Sequence, residues 1–214
     1  MFRPSAHFAF TLVELLVVIS IMAVLTTLTL PAIGGIRSAA NRTTCLSNLR
    51  QVGMAVLTYA DDYADLLPAE GHLGAQPDVS SAWFTRLPAY FDSPAIAPQG
   101  GVFQCPAWRY RPSGQFANAL PKSYKWNGRL LPTLGQPHYR LGRWANEAEV
   151  ILIADATAGE TGMGQWGKLL PTGVDRKRHR GKANMLACDG HTLSTIHLGY
   201  NPVMADVQLR WCGE

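Results

Sequence analysis

Asp155, His179, Asp189 and His191 are the side chains of this 214-residue chain whose types could act together, with Gly190 beside the last two. Asp155 closes a β-branched run, and nine residues separate His179 from Asp189. If that run and the segment around Asp189 share a sheet, two acids and two imidazoles converge. A divalent cation is one reading. Ca²⁺ takes six to eight oxygens, whereas imidazole suits Zn²⁺ or another transition metal. The preferred reading is structural: Asp189-Gly190 makes a turn, and His179 bonds directly to it as a clamp. Asp-Gly turns are common without metals, so no cofactor is expected beyond that candidate cation. The run around His179 is basic, with Arg176, Lys177, Arg178, Arg180 and Lys182. These five could hold the phosphates of a polyanion. No aromatic interleaves them, although stacking aromatics mark single-strand grooves. A solvated loop is preferred, and nucleic acid is not an expected partner. HExxH and the nucleophile elbow are absent, and the glycine-rich loop from Gly159 to Gly173 lacks the Lys-Ser/Thr ending of a P-loop, so no nucleotide site is expected. No catalytic residue is assigned, and an enzyme is not expected.

The elements that must carry these residues follow from pattern. Leu15 to Ile36 is a run of 22 residues without a charge, roughly 30 Å as a helix, which matches a bilayer's hydrocarbon core. Glu14 heads it, and an acid there asks for a partner, since a charge at mid-membrane costs about 3 kcal/mol. Pro31 falls inside the run, where it removes a backbone hydrogen bond and bends the rod. After Gly34-Gly35 the pattern turns amphipathic. Cys45, Leu49, Val52, Val56, Tyr59 or Ala60, and Tyr63 form one stripe, and Arg42, Asn48, Arg50 and Gln51 take the outer face. One helix is therefore expected to reach about Asp62.

From Leu67 to Pro137 prolines and glycines exclude long helices. Residues 82–87 fit one or two helical turns, and Val102 to Pro106 a short edge strand. Glu149 to Asp155 reads as a buried strand. Two strand-like runs, 183–188 and 191–196, flank Asp189-Gly190, which predicts a hairpin whose two turn residues both take positive φ. Val207 to Trp211 could add a strand. Removing the leader and the apolar stem leaves about 175 residues, enough for one domain with its own core. Hydrophobic content of 47% against 16% charged residues indicates globular material. The net charge of +4 is modest, since one cluster supplies much of it.

The segment from Phe10 to Ile33, with Phe10-Thr11-Leu12-Val13-Glu14 at its head, resembles the N-terminus of type IV prepilins and type II secretion pseudopilins. A signal peptide fits less well, because its apolar core is about 7–15 residues. The resemblance implies cleavage by a prepilin peptidase between Ala9 and Phe10 and N-methylation of Phe10. It also implies that Glu14 neutralises the amine of a neighbouring subunit during assembly, and that the stem tolerates Pro31. Gly is usual before the cut, and here it is Ala9. A second resemblance rests on the H-x9-DG pattern from His179 to Gly190, on residues 43–68 and on Phe103-Gln104-Cys105-Pro106. These are similar to bacterial pseudopilin-like proteins with that C-terminal signature. Residues 110–147 carry little of it beyond Lys122-Ser123-Tyr124 and read as an insertion.

Together these imply an α+β, pilin-like fold: a long N-terminal transmembrane and amphipathic helix packed on a C-terminal antiparallel sheet head with long loops. The expected divisions are a leader over 1–9, a membrane or filament-core helix over 10–36, its amphipathic continuation over 37–62, and a head over 63–214. The implied role is a structural subunit of a type II secretion or type IV pilus-like assembly. Its partners would be other subunits, the peptidase and an inner-membrane assembly platform. It would cross the inner membrane once, N-terminus in and head in the periplasm, before entering a filament. The alternative is a minor pilin that binds DNA or another polyanion. A periplasmic head permits disulfides. Of four cysteines, Cys45 on the helix face and Cys105 at a strand end are expected to pair. Cys188 is expected to be a buried thiol on the hairpin.

Overall fold

The computed structural model describes residues 11–68, 83–91, 101–109, 123–127, 130, 140–142, 146–157, 168–169 and 173–195. By packing, residues 1–39 form one unit and residues 40–214 a second. Helix α1 (Leu12–Asp62) runs unbroken through that division and through Pro31.

α1 opens on a reciprocal cap. The backbone N–H and the hydroxyl of Thr11 each donate to Glu14 Oε2 at 2.8 Å, and Glu14 N–H donates to Thr11 Oγ1 at 3.2 Å. Thr-x-x-Glu is the capping-box pattern, which satisfies two otherwise orphaned donors at once. Within the first unit every residue from Leu12 to Leu30 is exposed. The polar atoms in this stretch are satisfied locally. Ser20 donates to the Leu16 carbonyl at 2.8 Å, Thr26 to Met22 at 2.7 Å, and Thr29 to Leu25 at 3.0 Å. These hydroxyls bond within their own helix, which is what hydrocarbon demands of polar side chains in a spanning segment.

In the second unit α1 buries Cys45, Leu49, Val52, Val56 and Ala60. Ala60 rather than Tyr59 completes the buried row, and Tyr63 is exposed rather than part of it. Asn48 is half-buried and donates to the Gln104 carbonyl at 3.1 Å instead of facing water. The helix ends where Ala64 and Asp65 take left-handed φ values of 55° and 63°. The Asp65 N–H returns to the Ala60 carbonyl at 2.7 Å, a C-terminal cap of the kind glycine usually supplies. Arg140 Nη1 donates to the Ala64 carbonyl at 2.8 Å and steadies that turn.

The sheet has five strands: β1 (Tyr124–Asn127), β2 (Ile151–Asp155), β3 (Lys168–Leu169), β4 (Ala183–Ala187) and β5 (Thr192–Thr195). Their order is β3-β1-β2-β4-β5. β1, β2, β4 and β5 pair antiparallel, as the pilin-like expectation requires, while the two-residue β3 joins β1 in parallel. Alternation sorts the side chains. Tyr124, Trp126, Ile153, Leu186 and Cys188 join α1, Trp83, Leu87 and Phe103 in the main core. Ile151, Ala154, Ala183 and Met185 form a second cluster with Val174 and Ala156. The register shift between Ile151 and Ile153 lets Leu152 and Ile153 both join the main core.

The β4–β5 hairpin differs from expectation in its turn. Gly190 N–H bonds back to the Ala187 carbonyl at 3.0 Å, and Ala187 N–H bonds to the His191 carbonyl at 2.9 Å. The loop is therefore the three residues Cys188, Asp189 and Gly190, and only Gly190 has positive φ, 88°. That is a type I turn closed by a left-handed glycine, the next most common hairpin after the two-residue form. Val102 to Pro106 is no strand: Gly101–Phe103 is a 3-10 turn opened by Gly101 at φ 61°. Glu149 likewise ends a 3-10 turn ahead of β2. Trp83–Arg86 (α2) and a following 3-10 turn, Leu87–Tyr90, occupy the region expected to be helical. The candidate strand Val207 to Trp211 lies outside the described residues.

The hairpin rests on α1 at two glycines. A Cβ on Gly53 would meet Leu186 Cδ1 at 2.7 Å, and one on Gly190 would meet Leu57 Cδ1 at 2.9 Å. Gly190→Ala is expected to cost about 1–2 kcal/mol, mostly from the left-handed φ, since the exposed Leu57 can yield. Urea unfolding followed by the buried Trp83 and Trp126 measures it, and an unchanged midpoint would count against this packing.

Candidate functional site

The described residues hold two sites of different kind. The first is the head of α1. Glu14 is exposed, caps its own helix through Thr11, and precedes the unburied apolar stretch. Among the described residues α1 is the one helix long and apolar enough to cross a membrane. Ala9 and Phe10, the expected cleavage positions, lie outside the described residues.

The second is a buried polar cluster where α1, β2 and the basic loop meet. Cys45 on α1 and Cys105 are joined by a disulfide with Cα atoms 5.0 Å apart. The Cys105 N–H donates to Ser123 Oγ at 2.6 Å, and Tyr124 Oη donates to the Cys45 carbonyl at 3.3 Å. Both partners stand at the start of β1, so the strand fixes each end of the cross-link. Burial first, and then the Asp155 carboxylate, pushes the Tyr124 phenol well above its ordinary range. Tyr124 therefore remains a neutral donor.

His179 enters this cluster from the loop before β4. Its Nε2 lies 3.3 Å from Cys105 Sγ and 3.4 Å from Asp155 Oδ2. It thus faces a disulfide sulfur and a carboxylate that is also paired with Arg178. Nδ1 is buried and has no hydrogen-bond partner among the described residues. Asp155, fully buried, accepts Arg178 Nη1 at 2.9 Å and the Asn184 N–H at 3.0 Å. Arg178 also pairs with Asp175 at 2.9 Å and donates to the Ala156 carbonyl.

Asp155, His179, Asp189, Gly190 and His191 do not form one site. His179 joins Asp155, while Asp189 Oδ1 sits 2.6 Å from its own neighbour, His191 Nδ1. β4 is the reason. Its five residues are extended, so His179 and Asp189 stand at opposite ends of a strand roughly 16 Å long. The direct His179–Asp189 clamp is therefore absent, and His179 clamps the loop through Asp155 instead. The basic run is divided as well. Arg178 is buried in its ion pairs, Arg176, Lys177 and Arg180 are exposed, and Lys182 is half-buried. A guanidinium committed to two carboxylates cannot bind phosphate, so the candidate anion surface loses its central member.

Burial raises the Asp189 pKa most, but the His191 backbone N–H and ring outweigh it, and the carboxyl lies below its usual range. A depressed folded-state pKa gives stability that is present above the ordinary aspartate pKa and is lost as pH falls through the folded value. The side chains are 37% and 44% exposed, so the effect stays under about 1 kcal/mol. Asp189→Asn should flatten the pH dependence of unfolding below about pH 4, costing under about 1 kcal/mol at neutral pH and converging with wild type in acid. A large loss at neutral pH would refute a purely local role.

Sequence reasoning missed the Thr11–Glu14 box, although T-x-x-E signals it. It also missed Gly53, whose place in a helix interior hinted at close packing. Nothing local marked the meeting of His179 with Cys105, 74 residues away.

The prokaryotic N-terminal methylation motif matches residues 5–30. A family described as a protein of unknown function (DUF1559) matches residues 35–140. That match runs across most of the stretch that read as an insertion. No curated protein and no solved structure matches the chain.

Proposed function

We propose that this chain, which carries the prokaryotic N-terminal methylation motif over residues 5–30, is a type IV prepilin- or pseudopilin-like protein, cut between Ala9 and Phe10, methylated on Phe10, and polymerised through α1. It acts as a structural subunit of a type II secretion or type IV pilus-like assembly rather than as a catalyst. Before assembly it is held in the inner membrane by α1, with its N-terminus in the cytoplasm and its head in the periplasm. The observation that carries this reading is the unburied apolar run of α1 with a single acid, Glu14, at its head. Such a surface needs lipid or copies of itself. In the single chain Thr11 provides Glu14 with its hydrogen bonds. In the filament the methylated amine of a neighbour takes over as charge partner, so the carboxylate leaves lipid paired.

Intact mass of membrane-extracted protein from cells with prepilin peptidase should show loss of residues 1–9 and gain of one methyl. A mature end near Gly34, or release of unprocessed chain, would refute the reading. Glu14→Ala should still insert and be processed, but in competition with wild type it should be nearly absent from filaments. Equal incorporation would remove the pairing role. The minor-pilin alternative, a binder of DNA or another polyanion, keeps Arg176, Lys177 and Arg180 but not Arg178, and is the weaker reading.

A further inference from the structure

We propose that the thiol form of this protein binds a thiophilic divalent cation, of the zinc class, through Cys45, Cys105 and His179, so that cation and disulfide are alternative cross-links in one site. The donor atoms of these three residues all lie within 4.8 Å of one another, and all three side chains are buried. Two sulfurs and an imidazole are a donor set suited to Zn²⁺. With bonds of about 2.3 Å to sulfur and 2.0–2.1 Å to nitrogen or oxygen, tetrahedral donors stand roughly 3.4–3.8 Å apart. His179 Nε2 is 3.3 Å from Cys105 Sγ and 3.4 Å from Asp155 Oδ2. The imidazole thus already holds near-coordination spacing to one sulfur and to a carboxylate oxygen. Asp155 Oδ2, which also accepts the Asn184 N–H, stands beside Nε2 as the candidate fourth donor, while Oδ1 remains with Arg178.

The outer contacts suit such a site. Tyr124 and Ser123 fix the backbone of the two cysteines, and Arg178 and the Asn184 N–H orient Asp155. Groups that fix ligands in this way govern metal affinity. The chemistry balances. Two equivalents of a small thiol reduce the disulfide to two cysteine thiols and leave as their own disulfide. The cation then takes the two thiolates, two protons pass to solvent, and the neutral imidazole coordinates through Nε2 with its one proton on Nδ1. On the reading proposed above, in which the head reaches the periplasm, the chain arrives there in the thiol form, so the site is open to a cation until oxidation closes it.

The test uses full-length protein in detergent micelles, reduced with a phosphine under nitrogen and titrated with Co²⁺. One equivalent should produce thiolate-to-cobalt charge-transfer absorption and intense tetrahedral ligand-field bands, both displaced by Zn²⁺ and absent from the oxidised protein. His179→Ala should weaken Co²⁺ binding by more than the roughly 10–100-fold that loss of an outer-shell partner costs, and Cys188→Ser should change nothing. Near-ultraviolet circular dichroism of the oxidised variants establishes that each is folded beforehand. Absence of these bands from reduced wild type overturns the proposal. So does a His179→Ala protein that binds as wild type, because binding would then be by unstructured thiols. Loss of binding in Cys188→Ser with Cys45 and Cys105 intact would also overturn it.

Discussion

Cys45→Ser is expected to lower the stability of the head by about 4 kcal/mol at oxidising potential. Cys45 and Cys105 are 60 residues apart, and in the chain-entropy model closing a loop of that length removes about that much free energy from the unfolded ensemble. The bond ties α1 to the segment preceding β1, and Cys45 sits fully buried in the main core. The loss therefore combines a looser unfolded chain with a hydroxyl placed among apolar side chains. Cys105→Ser should cost a similar amount, and the double variant little more than either alone, because both remove the same cross-link. Urea midpoints of the full-length protein in micelles, read by tryptophan fluorescence, provide the comparison. If the two single losses add in the double variant, the bond is not the common cause.

Asp155→Ala carries the other large expected effect, about 3–5 kcal/mol. Asp155 and the Arg178 side chain form a buried ion pair, with exposures of 0% and 4%. Removing one member of such a pair leaves the other charged without water, which costs far more than the pair's net worth. The Asn184 N–H would lose its acceptor as well. Asp175 still holds Arg178, which places the loss toward the lower half of that range. Asp155→Leu with Arg178→Met should recover most of the stability, since an apolar pair of similar volume replaces two desolvated charges. A double variant as weak as Asp155→Ala would show that the remaining partners of Asp155, Asn184 and His179, matter more than Arg178. The Asp155→Ala melt should also be less cooperative at the basic loop, because Arg178 and His179 both anchor that loop through this one carboxylate.

Much of the architecture was legible locally. The uncharged run after Glu14, the row from Cys45 to Val56, the β-branched run ending at Asp155 and the Asp189-Gly190 signal are all short-range patterns. Helix and strand periods impose them on neighbouring residues, and burial of one face makes them visible in composition. The turn between β4 and β5 was legible only in outline. A three-residue loop and a two-residue loop place Asp-Gly alike, and strand register decides between them. The Val102 to Pro106 stretch was misread because Gly101 starts a turn through a φ value that its sequence context does not announce.

The cluster was a different case. His179, Arg178 and Asp155 carry no periodic relation to Cys105, and their meeting depends on where β2 and β4 lie in the sheet. Reading His179 and Asp189 as the ends of one short loop failed because the residues between them are an extended strand, which holds its ends apart. By itself, then, the sequence determined a prepilin-like stem with an acid at its head and a buried hairpin-bearing head. Only the tertiary structure decided which polar groups share a low-dielectric interior. Burial makes an unpartnered charge too costly to leave, so Asp155, Arg178 and Asp175 had to find one another once β2 and the loop before β4 were packed together.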